Sequence, residues 1–411
     1  MSFLIFLFLS SFTIFLDLYF LIPMLTLANL SLLIVLFYFL INREKIFFFL
    51  NQNNFDFSLL KYSFLFVLYI FCINLTNNSD IWFIIKSIII QSSIILCLPT
   101  VLYLSSKKKF DLINTYYIIF FIHFIFVLLQ IFGTDITLKD LIPSNPIIGV
   151  QEIYSGPKEI IRASGAISNP ITLAHQSIFF LCFTFFIFQK QKNLKNFFLL
   201  LMAFSILIST QARGAIFSLV PILILTYLVF IKFEIIKLFL LIFLILSGVI
   251  VFKNYSFLIA EYFPYAFKNI SLADTHRFWT NYYISIGVLN ESPLTGIAPE
   301  KAWDLFDKYT SNSYDPYTFE FRETTPTHHN QIFYYLRYYG LIGLFLFTLL
   351  YYKIYKLIKS NKQETIKLII GSIILLDLFF SLTHNNKIFS AIIWIYLSFL
   401  FNKNNKLINE N

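Results

Sequence analysis

The chain has 411 residues, of which 58% are hydrophobic and only 13% charged. Soluble domains run near about 25% charged, so a surface this apolar must face lipid, and a water-soluble globule is excluded. The formal charge of +9 gathers in loops on one side of the predicted spans, so it reads as membrane topology and gives no argument for nucleic acid.

The opening stretch MSFLIFLFLSSFTIFLDLYFLIP has no basic leader and no small-residue cleavage site, so it reads as an uncleaved first span. A crossing needs about 20 apolar residues. That criterion predicts about 12 transmembrane helices, at 3–22, 24–41, 59–75, 81–104, 112–133, 171–189, 197–212, 214–231, 238–252, 331–352, 368–382 and 388–401. The expected fold is an all-α polytopic membrane protein. Cys72, Cys97 and Cys182 fall inside apolar runs and read as small core residues.

Lys and Arg orient the spans. With the N-terminus inside, the inner segments 42–58, 105–111, 189–196, 232–237, 353–367 and the tail after 402 are rich in lysine. The short outer loops 76–80, 209–213 and 383–387 hold only Arg213 and Lys387. Two long outer segments follow, roughly 134–170 and 253–330. The chain is thereby organised as spans 1–5 (1–133), the first outer loop with spans 6–9 (134–252), a large periplasmic loop (253–330), and spans 10–12 with a cytoplasmic tail (331–411). The large loop is too long to be a mere connector. It is expected to be partly helical, with one helix starting at Asp274 or Thr275 and a short one in PEKAWDLFDKYT after Pro299. SFLIAEYFPYAF is expected to lie along the membrane surface.

The arginines are placed unevenly. Of 18 basic residues on the inner side, Arg43 is the lone Arg; the rest of the chain holds Arg162, Arg213, Arg277, Arg322 and Arg337. Lysine suffices to orient a helix, whereas gripping a phosphate or carboxylate through two hydrogen bonds needs the planar guanidinium. The pattern predicts a shared anionic ligand on the outer face. Arg213 sits in STQARGAIFSLV at a span boundary, where a charge needs a cavity or a partner. Gly214 allows a close backbone approach, and the first amides of the next helix add positive potential. The set suits a diphosphate; lipid headgroups are the alternative ligand. His175, one turn into the sixth span, is a further candidate for the cavity, and His123 and Asp377 are polar groups inside spans.

Four stretches occur in order: RASGAISNPITLA (162–174), STQARGA (209–215), HRFWTNYYISIGVLNESPLTGI (276–297) and THHNQIFYYLRYYGLIGL (327–344). In these the chain resembles the O-antigen ligase and O-antigen polymerase superfamily of bacterial membrane glycosyltransferases. Ala298 stands third in GIA, where the family commonly ends Gly-Ile-Gly. The resemblance implies a multi-pass protein of the bacterial inner membrane with its active face periplasmic. It implies a glycan donor carried on undecaprenyl diphosphate, with lipid A–core as acceptor for a ligase and a second lipid-linked glycan for a polymerase. No cofactor and no nucleotide sugar are implied. Arg213, Arg277 and His329 are carried over as the catalytic set. Arg162, Gly214, Trp279, Arg322, His328 and Asn330 join Arg213 and Arg277 as expected diphosphate or substrate contacts.

Bond breaking builds negative charge on the leaving diphosphate, which Arg213 and Arg277 would offset. His329 is the candidate general base, since an unperturbed imidazole titrates at about pH 6.5. As a cation it would instead donate to the diphosphate, and a helix cap is the bland alternative. His328 and His329 lack the i, i+4 spacing of two ligands on one helix face, so no zinc site is expected, and no Walker A or Gly-x-Gly-x-x-Gly element occurs. Ligase-like transfer is the leading function. The alternatives are a polymerase of the same superfamily, a lipid-linked glycan transporter or flippase, and a non-catalytic member of an export assembly. A transporter would more naturally keep short loops and internal pseudo-symmetry.

Overall fold

A computed structural model describes residues 27–53, 55–77, 81–106, 112–132, 163, 165, 170–210, 212–231, 272–298, 301–309, 331–383 and 391–401. Among them all regular structure is helical. In chain order the helices are α1 (Leu27–Gln52), α2 (Ser58–Thr76), α3 (Ile81–Ser106), α4 (Leu112–Ile131), α5 (Pro170–Lys190), α6 (Leu194–Ser209) and α7 (Arg213–Phe230), followed by α8 (Leu272–Glu291), α9 (Ala302–Tyr309), α10 (Gln331–Ser360), α11 (Glu364–Thr383) and α12 (Ala391–Phe401).

The expected spans 3–22 and 238–252, and the surface segment 256–267, lie outside the described residues. Each of the other expected spans coincides with a helix. Within α2, α3, α5 and α10 lie four stretches long and apolar enough to cross a membrane: Ser58–Thr76, Ser87–Ser106, Thr172–Lys190 and Gln331–Ser360. The backbone reason for helices is general: hydrocarbon offers no hydrogen bonds, so each span must satisfy its own amides. Large apolar side chains such as Ile41 (82% exposed) and Phe132 (79% exposed) stand on the outside, as lipid-facing surface does.

Two helices run past their expected ends. α1 continues through Arg43, Glu44 and Lys45 to Gln52, because Ile46 and Leu50 extend the same buried face beyond the charges. α10 continues to Ser360 for the same reason, burying Ile354 and Ile358. α8 begins two residues before Asp274, and α9 begins at Ala302, leaving Pro299 outside the described residues. Local chemistry sets other ends. Pro170 opens α5 at the position where a missing N–H costs nothing. Asn193 caps α6, its side chain accepting from the Asn196 amide at 2.8 Å.

The helices assemble around α11, which packs against α5, α7, α10 and α12, while α2 packs against α3 and α10. At the start of α2, Lys353 of α10 pairs with Asp56 at 3.7 Å. Phe55 meets Phe401 with ring centroids 4.6 Å apart, and Asn361 donates to the Leu400 carbonyl at 2.9 Å. Farther along α2, Tyr69 donates to the carbonyls of Tyr339, at 2.7 Å, and Leu294, at 3.2 Å. These contacts run α10 alongside α2 and hold the loop after α8 at the far end of the pair.

Candidate functional site

α10 is not one straight helix. Gly340 has φ 62 and ψ −163, which breaks the ladder and bends the chain. A bend releases backbone groups that must find partners in a dry environment. The loop 292–298 supplies them. The Ile297 amide donates to the Arg337 carbonyl at 2.8 Å, and the Leu341 amide donates to the Pro293 carbonyl at 2.8 Å. Tyr69 takes the Tyr339 carbonyl. Two positive-φ glycines, Gly296 and Gly340, make this approach possible, because a side chain at either would overlap the other segment's backbone.

α8 and α9 form a helical pair with its own small core of Ile284, Val288, Ile297, Ala302, Leu305 and Phe306. Lys308 ties the pair at its surface by donating to Glu291 at 2.5 Å, and that hydrogen bond raises the lysine's pKa above its ordinary value. α8 also packs on α10. There the Arg337 guanidinium donates to the Asn281 Oδ1 at 2.8 Å, with both side chains buried.

On α10, Tyr334, Tyr335, Tyr338 and Tyr339 form a run of edge-on and tilted rings, and Phe66 and Phe347 extend it through contacts with Tyr335. Gln331 donates to the Tyr335 hydroxyl at 3.3 Å. Lower on the same helix, Tyr351 donates to the buried Asp377 carboxylate. That contact gives Asp377 a partner the sequence alone did not reveal. His175 stacks on Phe380 at 3.9 Å, so this ring is part of the α5–α11 packing. Gln130 of α4 makes two bonds to Gly165, accepting from its amide at 3.0 Å and donating to its carbonyl at 3.2 Å. The adjacent Ala163 amide donates to the Ser209 carbonyl at 3.0 Å, close before Arg213. Ala163 is thereby joined to the segment leading into α7, and Gly165 to α4.

The expected site residues divide in two. Arg213 and Gly214 occupy the first turn of α7, and Arg277 and Trp279 lie in α8; for these four the backbone is described. Arg162, Arg322, His328, His329 and Asn330 lie outside the described residues. Of the five arginines expected on the outer side, Arg337 alone has a described side chain, and it is buried against α8. The helix that opens at Arg213 directs its first amides to that end of the bundle, a ready anion site in backbone terms. No group of three or more His, Cys, Asp or Glu residues able to hold a metal occurs among the described residues.

Residues 197–348 match the family model described as O-antigen ligase. The match runs from α6 through the bend of α10, and it takes in Arg213, Arg277 and His329 together. No curated protein matches the chain. The O-antigen ligase segment therefore supports the superfamily read from the sequence, and with it an enzyme of the ligase or polymerase glycosyltransferase type in a membrane.

Proposed function

We propose that the chain is a membrane glycosyltransferase that moves a glycan from undecaprenyl diphosphate to an acceptor hydroxyl on the periplasmic face. The leading acceptor is lipid A–core, as in an O-antigen ligase. The observation that carries this reading is the O-antigen ligase match over the one segment that contains Arg213, Arg277 and His329. The fold supports it. α8, which holds Arg277, is bound to α10, which begins two residues after His329, and α11 packs on both α10 and α7, which opens with Arg213.

In the proposed reaction the bond between the glycan's anomeric carbon and the diphosphate oxygen breaks. A bond forms from that carbon to the acceptor oxygen. The acceptor's proton passes to His329, and the electron pair leaves on undecaprenyl diphosphate, whose charge Arg213 and Arg277 stabilise. Removing one such stabiliser costs about 2.7–4 kcal/mol of barrier in comparable sites. No nucleotide enters, because the glycosyl–phosphate bond already stores the energy.

The test uses purified protein with lipid-linked glycan and either lipid A–core or further lipid-linked glycan, without nucleotide. A single shift of the core supports the ligase, and a ladder on the lipid-linked glycan assigns a polymerase. Arg213→Ala, Arg277→Ala and His329→Ala should each abolish product in protein that still folds. Full activity in all three would remove those roles.

A further inference from the structure

We infer that Asn281 and Arg337 are positioning residues for this transfer, an inference that rests on the reading above. Arg337 is 0% exposed and Asn281 3%, and the guanidinium donates to the Asn281 Oδ1 at 2.8 Å. The main chain of the same arginine accepts from Ile297 at 2.8 Å. One residue of α10 is thus held by α8 through its side chain and by the loop after α8 through its backbone.

Both grips lie close in sequence to the residues of the proposed chemistry. Arg277 stands one helical turn before Asn281 in α8, and His329 stands two turns' worth of chain before Arg337. Apolar contact alone lets two helices slide over one another. A buried guanidinium bonded to an amide oxygen fixes both distance and plane, because its donors form a rigid fork. Burying such a group in a span is costly, and groups kept there at that cost mark functional positions. The Asn281–Arg337 bond sets the offset between α8, which holds Arg277, and α10, which begins two residues after His329, and the close approach of Gly296 to the Arg337–Tyr339 backbone and of Gly340 to the Leu294–Thr295 backbone restricts rotation about it.

A misplacement of about 1 Å costs about 10²-fold in rate. Asn281→Leu and Arg337→Lys should therefore each lower kcat per folded molecule by about 10²-fold, with donor KM nearly unchanged. Asn281→Asp keeps an acceptor oxygen and should retain most of the wild-type kcat. A second readout does not depend on turnover. Spin labels at Leu289 and Phe345, both exposed, report the α8–α10 distance in a Cys72→Ser background, where Cys97 and Cys182 are buried. The distance distribution should broaden in Asn281→Leu and Arg337→Lys and stay narrow in Asn281→Asp. Unchanged kcat per folded molecule in both disruptive variants, or unbroadened distances in both, would overturn the inference. A wild-type protein inactive with both acceptors would overturn the glycosyl-transfer reading instead, and the label distances would still decide whether this pair holds α8 to α10.

Discussion

Gly296 and Gly340 each face the backbone of the other's segment: a side chain on the first would overlap Arg337 and Tyr338, and one on the second would overlap Leu294 and Thr295. Both glycines have positive φ, at 74 and 62. Gly296→Ala and Gly340→Ala should each destabilise the protein by about 2–5 kcal/mol. That figure combines left-handed strain of roughly 1–2 kcal/mol with overpacking of roughly 1–3 kcal/mol. Thermal unfolding in detergent measures it, and an unchanged midpoint in both variants would mean that the loop and the bend do not touch.

The Tyr351–Asp377 contact predicts a second stability effect. Tyr351→Phe removes a donor from a buried carboxyl and should cost about 1–3 kcal/mol. Tyr351→Phe combined with Asp377→Leu should recover part of that loss, since the orphaned polar group is gone. A double-mutant cycle reads the coupling, and strictly additive losses would count against the bond.

If His329 is the general base, it must be neutral to accept the proton. Turnover should then fall as pH drops through about 6.5, the ordinary imidazole range. If it serves as a cation that donates to the diphosphate, turnover should instead rise on acidification through the same range. The pH profile of kcat therefore assigns the role by its sign, and a profile flat across this range would exclude both.

Burial alone would raise the Asp56 carboxyl, but its bonds to Ser58 and the charge of Lys353 outweigh that and hold it below the usual carboxylate value. A depressed carboxylate contributes stability above its unfolded value and loses it as pH falls through the folded one. Acid destabilisation from this site should therefore appear below about pH 4. Lys353→Gln should weaken that acid dependence, as followed by melting temperature against pH. An identical acid limb in the variant would show the ion pair to be inert.

The described long helices were legible because their signal is a long one-dimensional run of apolar residues, which local composition reveals. Their ends were less so. At Arg43 and Lys353 charge marks the edge of the apolar run, yet Ile46 and Ile358 keep the helix going, since packing continues where hydropathy stops. The helices α8 and α9 could be anticipated from their spacing. The bend at Gly340 could not, because its cause is a hydrogen-bonding loop that lies far away in the chain. In a sequence with only 11 glycines, the pair in PLTGI and YYGLIG was the available clue. Arg337 showed the same limit: composition grouped it with the arginines expected to bind a ligand, and only the three-dimensional arrangement revealed Asn281 beside it. The Gln130–Gly165 pairing had no sequence signal at all, since a lone Gln in an apolar run has many uses.

Among the described residues, the groups outside α10 that bond its bend come earlier in the chain: Tyr69, Pro293, Leu294 and Ile297. Synthesis proceeds from the N-terminus, so these partners already exist when Leu341 emerges. The bend can form while the protein is still being made, without waiting for α11 or α12. The last two helices then close over a scaffold whose angle is already set.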